Sequence, residues 1–208
     1  MKTLLTLLLL VSFSAFAQNY PAEWFKPVPT EGAPAWEILP QAAGPGEVIL
    51  SKRNELGILS NFAATPFTYR GETYASVEGF WQMMKDPEAQ DDIRSTLFYP
   101  FTRAQVAGMV AFEAKNAGSV GEKMMEQLGI DWVTFEGTPM VYCSIEKGLH
   151  YQLIKEAMIE KLNQNSEVKR ILKATGNLIL RPDHHSEGCQ APEWKYYQVW
   201  MEIREELI

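Results

Sequence analysis

Glu78, Gln82 and Lys85 stand four and three residues apart within Ser76-Val77-Glu78-Gly79-Phe80-Trp81-Gln82-Met83-Met84-Lys85. On a helix that spacing stacks a carboxylate, an amide and an amine along one face. A carboxylate can hold or move a proton, and a lysine amine becomes a nucleophile when its pKa falls, which burial among apolar groups brings about. Val77, Phe80, Trp81, Met83 and Met84 fill the rest of the segment. An unpaired polar group in a core is costly, so the stripe must face water or line a buried polar pocket. Apolar groups on nearly every side leave little room for a solvent face, which favours the pocket. The competing reading is an exposed Glu–Lys pair, which is common on amphipathic helices and worth little.

The elements that must position this stripe follow from local signals. Ser76 is a good N-cap and Pro87 cannot continue a helix, so the segment is bounded at both ends. Glu47 to Ser51 reads as a strand, and Phe67 to Tyr74 as two strands turning at Arg70-Gly71. Between them Gly57 to Phe62 is a loop. Thr102 caps a helix expected to run to about Asn116 and to stop at Gly118, with a further short helix over Glu122 to Leu128. Thr138-Pro139 reads as a cap and first turn, opening the longest helix, Met140 to about Asn163. Ser166 caps a shorter helix ended by Gly176, Leu178 to Leu180 forms a short strand, and Lys195 to Leu207 a terminal helix. The expected fold is a single mainly α-helical domain with a small β-sheet or hairpin.

The 208 residues, 46% hydrophobic and 22% charged, fit one globular domain with extras. Met1 to Ala17 has the lysine, apolar run and Ala-Phe-Ala ending of a secretory signal peptide, so a mature start near Gln18 and a periplasmic or secreted location are expected. That run is too short to span a bilayer. Residues 18–46 carry six prolines and read as an extended lead-in, with Trp24, Phe25 and Trp36 too apolar for a free linker; the main domain takes 47–208. A net charge of -7 argues against a broad hold on nucleic acid, which depends on lysines and arginines neutralising phosphates. Cys143 and Cys189 either form one disulfide or stay as two buried thiols.

Read in order, Leu59-Ser60-Asn61-Phe62, Pro66-Phe67, Gly71, Val77-Glu78 with Gln82 and Lys85, Asp131-Trp132, Met140, Lys161 with Gln164-Asn165, Leu172 with Thr175-Gly176, and Met201 with Arg204 resemble the YbiA-like, or NADAR, family. The resemblance spans about residues 50 to 206. It implies a mainly helical fold and an N-glycosidase that acts on ADP-ribosyl or phosphoribosylamino compounds and needs no cofactor. It further implies that Lys85 attacks the anomeric carbon to give a Schiff base while Glu78 moves a proton or orients the ribose. Asn61, Phe62 and Gln82 would shape the ligand site, Trp81 or Trp132 would stack on a ring, and Lys161 and Asp183 would lie close by. An N-glycosidic bond leaves positive charge on the sugar as it breaks, which a nearby carboxylate stabilises.

The chain departs from the family pattern at Gly79, at Ser119 and over Arg181 to Glu187. These departures keep a second class of function open, a nucleotide-binding module or secreted effector without hydrolysis. Asp183-His184-His185, Glu187 and Cys189 are all metal-ligand types, but adjacent histidines on an extended segment point opposite ways, and no metal is expected. His150 reads as a structural residue within a helix.

Overall fold

The computed structural model describes residues 20–185 and 188–207. The leader-like segment and the start at Gln18 lie outside the described residues, as does Glu187.

The fold is built outward from one short helix, α1 (Val77–Met83), all seven residues of which are buried. Ser76 fixes its start: the Ser76 hydroxyl accepts from Gly79 N at 2.9 Å and donates to Met109 O at 2.9 Å. Two helices wrap it, α2 (Arg103–Ala107) and α3 (Ala111–Leu128). The expected break at Gly118 is not there. The chain breaks instead at Gly108, and α3 runs unbroken to Leu128, where Gly129 closes it in the left-handed conformation at φ 67°.

The glycines within α3 and α1 mark close approach. A Cβ on Gly118 would lie 1.7 Å from Gln82 Oε1 and 2.8 Å from Gln82 Cβ. One on Gly121 would lie 2.8 Å from Lys85 Cβ, and one on Gly79 would lie 2.6 Å from Met109 O. A side chain at 79 is therefore excluded by the α2–α3 backbone that α1 touches there. Gly118→Ala is expected to destabilise the protein by about 1–3 kcal/mol in denaturant titrations, despite alanine's better helix propensity, because the methyl must displace Gln82 from its base.

Among the described residues, three two-stranded sheets accompany this centre. Strands β2 (Phe67–Tyr69) and β3 (Glu72–Tyr74) turn at Arg70 and Gly71, with φ of 48° and 88°. Strands β4 (Trp132–Phe135) and β5 (Thr138–Val141) turn in the same way at Glu136 and Gly137, with φ of 50° and 73°. Two successive positive φ values give the hairpin turn whose twist suits the flanking strands. Thr138-Pro139 thus continues a hairpin and does not start a helix. The long helix is shorter than expected, α4 (Leu149–Gln164), and Asn165 rather than Ser166 stands before α5 (Ser166–Ala174). Strand β1 (Glu47–Ile49) pairs in parallel with β6 (Ile179–Arg181), and α6 (Tyr196–Leu207) closes the chain. Phe80, Met84, Ile154, Leu172 and Trp200 are fully buried in one continuous core.

The proline-rich lead-in is part of this body. Trp24 is fully buried and its indole donates to Glu55 Oε1 at 2.7 Å. Further on, Ile38 N donates to Asp183 O at 2.7 Å and His185 N to Trp36 O at 3.2 Å, an antiparallel bridge around Glu37 and His184. Arg53 clamps Glu37 through two bonds of 2.6 Å.

Cys143 and Cys189 are joined by a disulfide, their Cα atoms 5.9 Å apart. The bond ties the segment after β5 to the stretch just before Ala191. Closing a sequence separation of 46 residues restricts the unfolded chain, so reduction or a Cys143→Ser, Cys189→Ser double variant should cost about 2–4 kcal/mol in unfolding free energy.

Candidate functional site

A cavity of about 280 Å³ opens over the polar face of α1, with Glu78, Gln82 and Lys85 all on its lining. All three are at least nine-tenths buried. Gln82 Nε2 donates to Glu78 Oε1 at 2.8 Å. That bond leaves Gln82 Oε1 buried with no protein partner among the described residues, and Asn61 Oδ1, on the same lining, is in the same state. Buried polar atoms of this kind are expensive unless a ligand or water satisfies them.

Burial raises the pKa of Glu78 above the usual carboxylate range, against the opposing pull of the Gln82 bond and of Lys85, Lys115 and His184. Glu78 is thereby biased toward the protonated carboxyl. Lys85 behaves differently from what burial alone would produce. Desolvation disfavours its ammonium, but the Tyr142 hydroxyl and the Glu122 carboxylate outweigh burial, and its pKa stands above the ordinary lysine value. Lys85 Nζ lies 3.2 Å from Glu122 Oε2 and 4.7 Å from the centre of the Tyr142 ring. The resting lysine is an ammonium, so the expected depression of its pKa by an apolar helix is corrected. The carboxylate comes from α3, which sequence spacing did not place there.

The walls are aromatic. Trp81 meets Trp194 edge-on at 6.2 Å, and Trp194 meets Tyr142 at 6.0 Å. Behind them the buried His150 Nδ1 is 2.7 Å from Glu193 Oε1, and the His150 ring packs on Trp81 at 5.4 Å. Trp36, Phe62 and Phe112 line the cavity with Lys52, Lys115, His184 and His185.

The chain thus brings Asn61, Phe62, Glu78, Trp81, Gln82 and Lys85 to one cavity, and sets three other candidates apart from its lining. Asp183 is buried behind His184 and Lys52, which bond its carboxylate; burial raises its pKa, but those two partners prevail and lower it. Lys161 is fully buried beneath the loop that carries Asn61, and its Nζ donates to Ser60 O at 2.7 Å. Trp132 stacks elsewhere, with the Arg94 guanidinium 4.8 Å over its ring, and is corrected as a ring-stacking surface for this site. Its strand neighbour Val133 takes the core-facing position, as alternation along a strand requires.

Sequence reasoning missed Glu122, Lys115 and Phe112. With Ser119 they fall at positions 112, 115, 119 and 122, one face of α3, and all four line the cavity. Glycines within a helical pattern, at 118 and 121, were the available signal that this face meets another element. Among the described residues no group of three or more histidine, cysteine or acidic side chains is arranged to hold a metal ion.

No family model and no curated protein matches this chain. Among solved structures it is similar to the NMR structure of the E. coli protein YbiA, with 20% identity and a TM-score of 0.47 over 76% of this chain and 81% of that one.

Proposed function

We propose that this protein is an N-glycosidase acting on an ADP-ribosyl or phosphoribosylamino compound. The observation that carries the reading is the pairing of a carboxyl on α1, whose pKa burial raises, with the amine of Lys85 in the turn just after that helix, at a cavity that leaves polar atoms unsatisfied. Glu122 takes one proton from the Lys85 ammonium, freeing the nitrogen lone pair to bond the anomeric carbon. The glycosidic C–N bond breaks with its electron pair leaving on the base, which receives the Glu78 proton. The glycosyl-lysine opens to a Schiff base, and water releases the sugar and restores the amine. Gln82 holds the Glu78 carboxyl in place and keeps one carbonyl oxygen for a sugar hydroxyl.

The Cys143–Cys189 bond supports an oxidising compartment, in line with export of the chain. A second reading, a binding module without hydrolysis, draws support from the charged resting state of Lys85. Incubation of the protein with ADP-ribosylated guanosine and borohydride, followed by mass spectrometry, separates the two. A sugar adduct trapped on Lys85 is expected. Neither adduct nor released ADP-ribose from folded protein selects the binding module.

A further inference from the structure

We propose that the mouth of the cavity is a separate outer subsite for a planar aromatic ring carried on an anionic ligand, and that Trp36, from the proline-rich lead-in, is its specificity-determining residue. The proposal rests on the cavity being a ligand site, and not on hydrolysis.

Three rings meet there. Phe112 stands between the other two, edge-to-face with Trp36 at 6.2 Å and with Phe62 at 5.2 Å. All three line the cavity, yet Trp36 is 45% exposed and Phe112 51% exposed. Large apolar side chains left open together at a cavity mouth are the kind of surface that marks a binding site. Edge-to-face packing leaves ring faces free to receive another ring, and stacking on aromatic faces is tolerant of which ring arrives.

The simpler account is that Trp36 only anchors the lead-in. That anchoring is supplied by other groups: the backbone bridge from Trp36 and Ile38 to the 183–185 segment, the Arg53–Glu37 clamp, and the fully buried Trp24. These contacts fix the Trp36 backbone rigidly, while its indole goes unused by them and faces the cavity. A half-exposed tryptophan on a rigid support is preorganised for binding, which spares the ordering cost that a mobile one would add.

Charge at the mouth selects the rest of the ligand. Lys52 sits 5.3 Å over the Phe62 ring, and Lys115 and His184 each stabilise the charged form of Glu78 from the same lining. Among the lysines of the lining, Lys52 is paired with Asp183 and Lys85 with Glu122, which leaves Lys115 as the one with no ion pair among the described residues and so the group placed to meet an anion beside the exposed rings. Such a mouth fits a nucleobase-like ring joined to a sugar phosphate, the sugar turned toward α1 and the ring held against Trp36 and Phe112.

The test is calorimetric binding of AMP and of ribose 5-phosphate to the full chain. AMP is expected to bind about tenfold tighter, the gain of one stacked ring. Trp36→Ala should bring AMP down to the affinity of ribose 5-phosphate, Phe112→Ala should act in the same direction, and Trp36→Phe should keep most of the preference. Equal affinities in the unaltered protein, binding of neither probe, or an AMP preference that survives both alanine variants would overturn the subsite. Because no turnover is read, a protein that hydrolyses nothing but prefers AMP through Trp36 leaves the subsite standing and removes only the glycosidase reading. Turnover with no such preference does the reverse.

Discussion

Lys85→Ala is expected to lower turnover by roughly 10³-fold or more while the protein keeps its fold, because the variant removes the cavity amine that follows Glu78 and Gln82 in the turn after α1. Lys85 lies on a cavity wall and not in the closed core, so circular dichroism and the unfolding midpoint should show a folded protein. A lysine held as an ammonium must shed a proton before it can attack, and Glu122 at 3.2 Å is the group placed to take it. Glu122→Gln removes the carboxylate that favours the ammonium, so the limb of the rate–pH profile that rises toward alkaline pH should move to lower pH. A profile that stays in place would reduce Glu122 to a surface charge, as its 44% exposed side chain would otherwise lead one to assume. Undiminished turnover in Lys85→Ala would remove the nucleophile altogether.

What the sequence made legible was local. Ser76 and the spacing of Glu78, Gln82 and Lys85 marked the start of α1 and its polar face without reference to any other element, although the helix ends at Met83 and Lys85 falls in the turn beyond it, and Arg70-Gly71 marked its hairpin by turn chemistry alone. Glu136-Gly137 carries the same chemistry, but Pro139 two residues on has equal standing as a first helical residue, and only strand pairing decides between them. Gly118 illustrates the opposite failure. A glycine ends helices because it tolerates a left-handed conformation, yet here it stays helical and serves to let Gln82 approach. Misreading it cut α3 short and hid the face that bears Phe112, Lys115 and Glu122. Trp36 was beyond sequence reasoning for a different reason: a β-bridge spanning almost the whole length of the domain delivers it to the cavity.

The two buried lysines show how far charge state depends on partners that spacing does not reveal. Lys85 has a carboxylate and stays an ammonium; Lys161, with the Ser60 carbonyl for a partner, is pushed by burial down to about 7. Lys161 thereby predicts a pH dependence of stability with a definite sign. An unfolded chain keeps the ordinary lysine value of 10.5, so between about 7 and 10.5 it binds a proton that the folded protein has released. Stability contributed by this site must rise with pH through that window and lie at its lowest below it, where the folded protein is forced to bury the charge. The full span is worth about 5 kcal/mol at roughly 1.4 kcal/mol per unit. Replacing Lys161 with methionine removes the titration and leaves the Ser60 carbonyl without its donor, a loss that does not vary with pH. Denaturant titrations of both proteins from pH 6 to pH 10 should therefore show the unaltered protein gaining about 4 kcal/mol on Lys161→Met as pH rises. A difference that is flat across that range would mean that Lys161 keeps its charge in the fold, and that the loop bearing Asn61 rests on a buried ammonium.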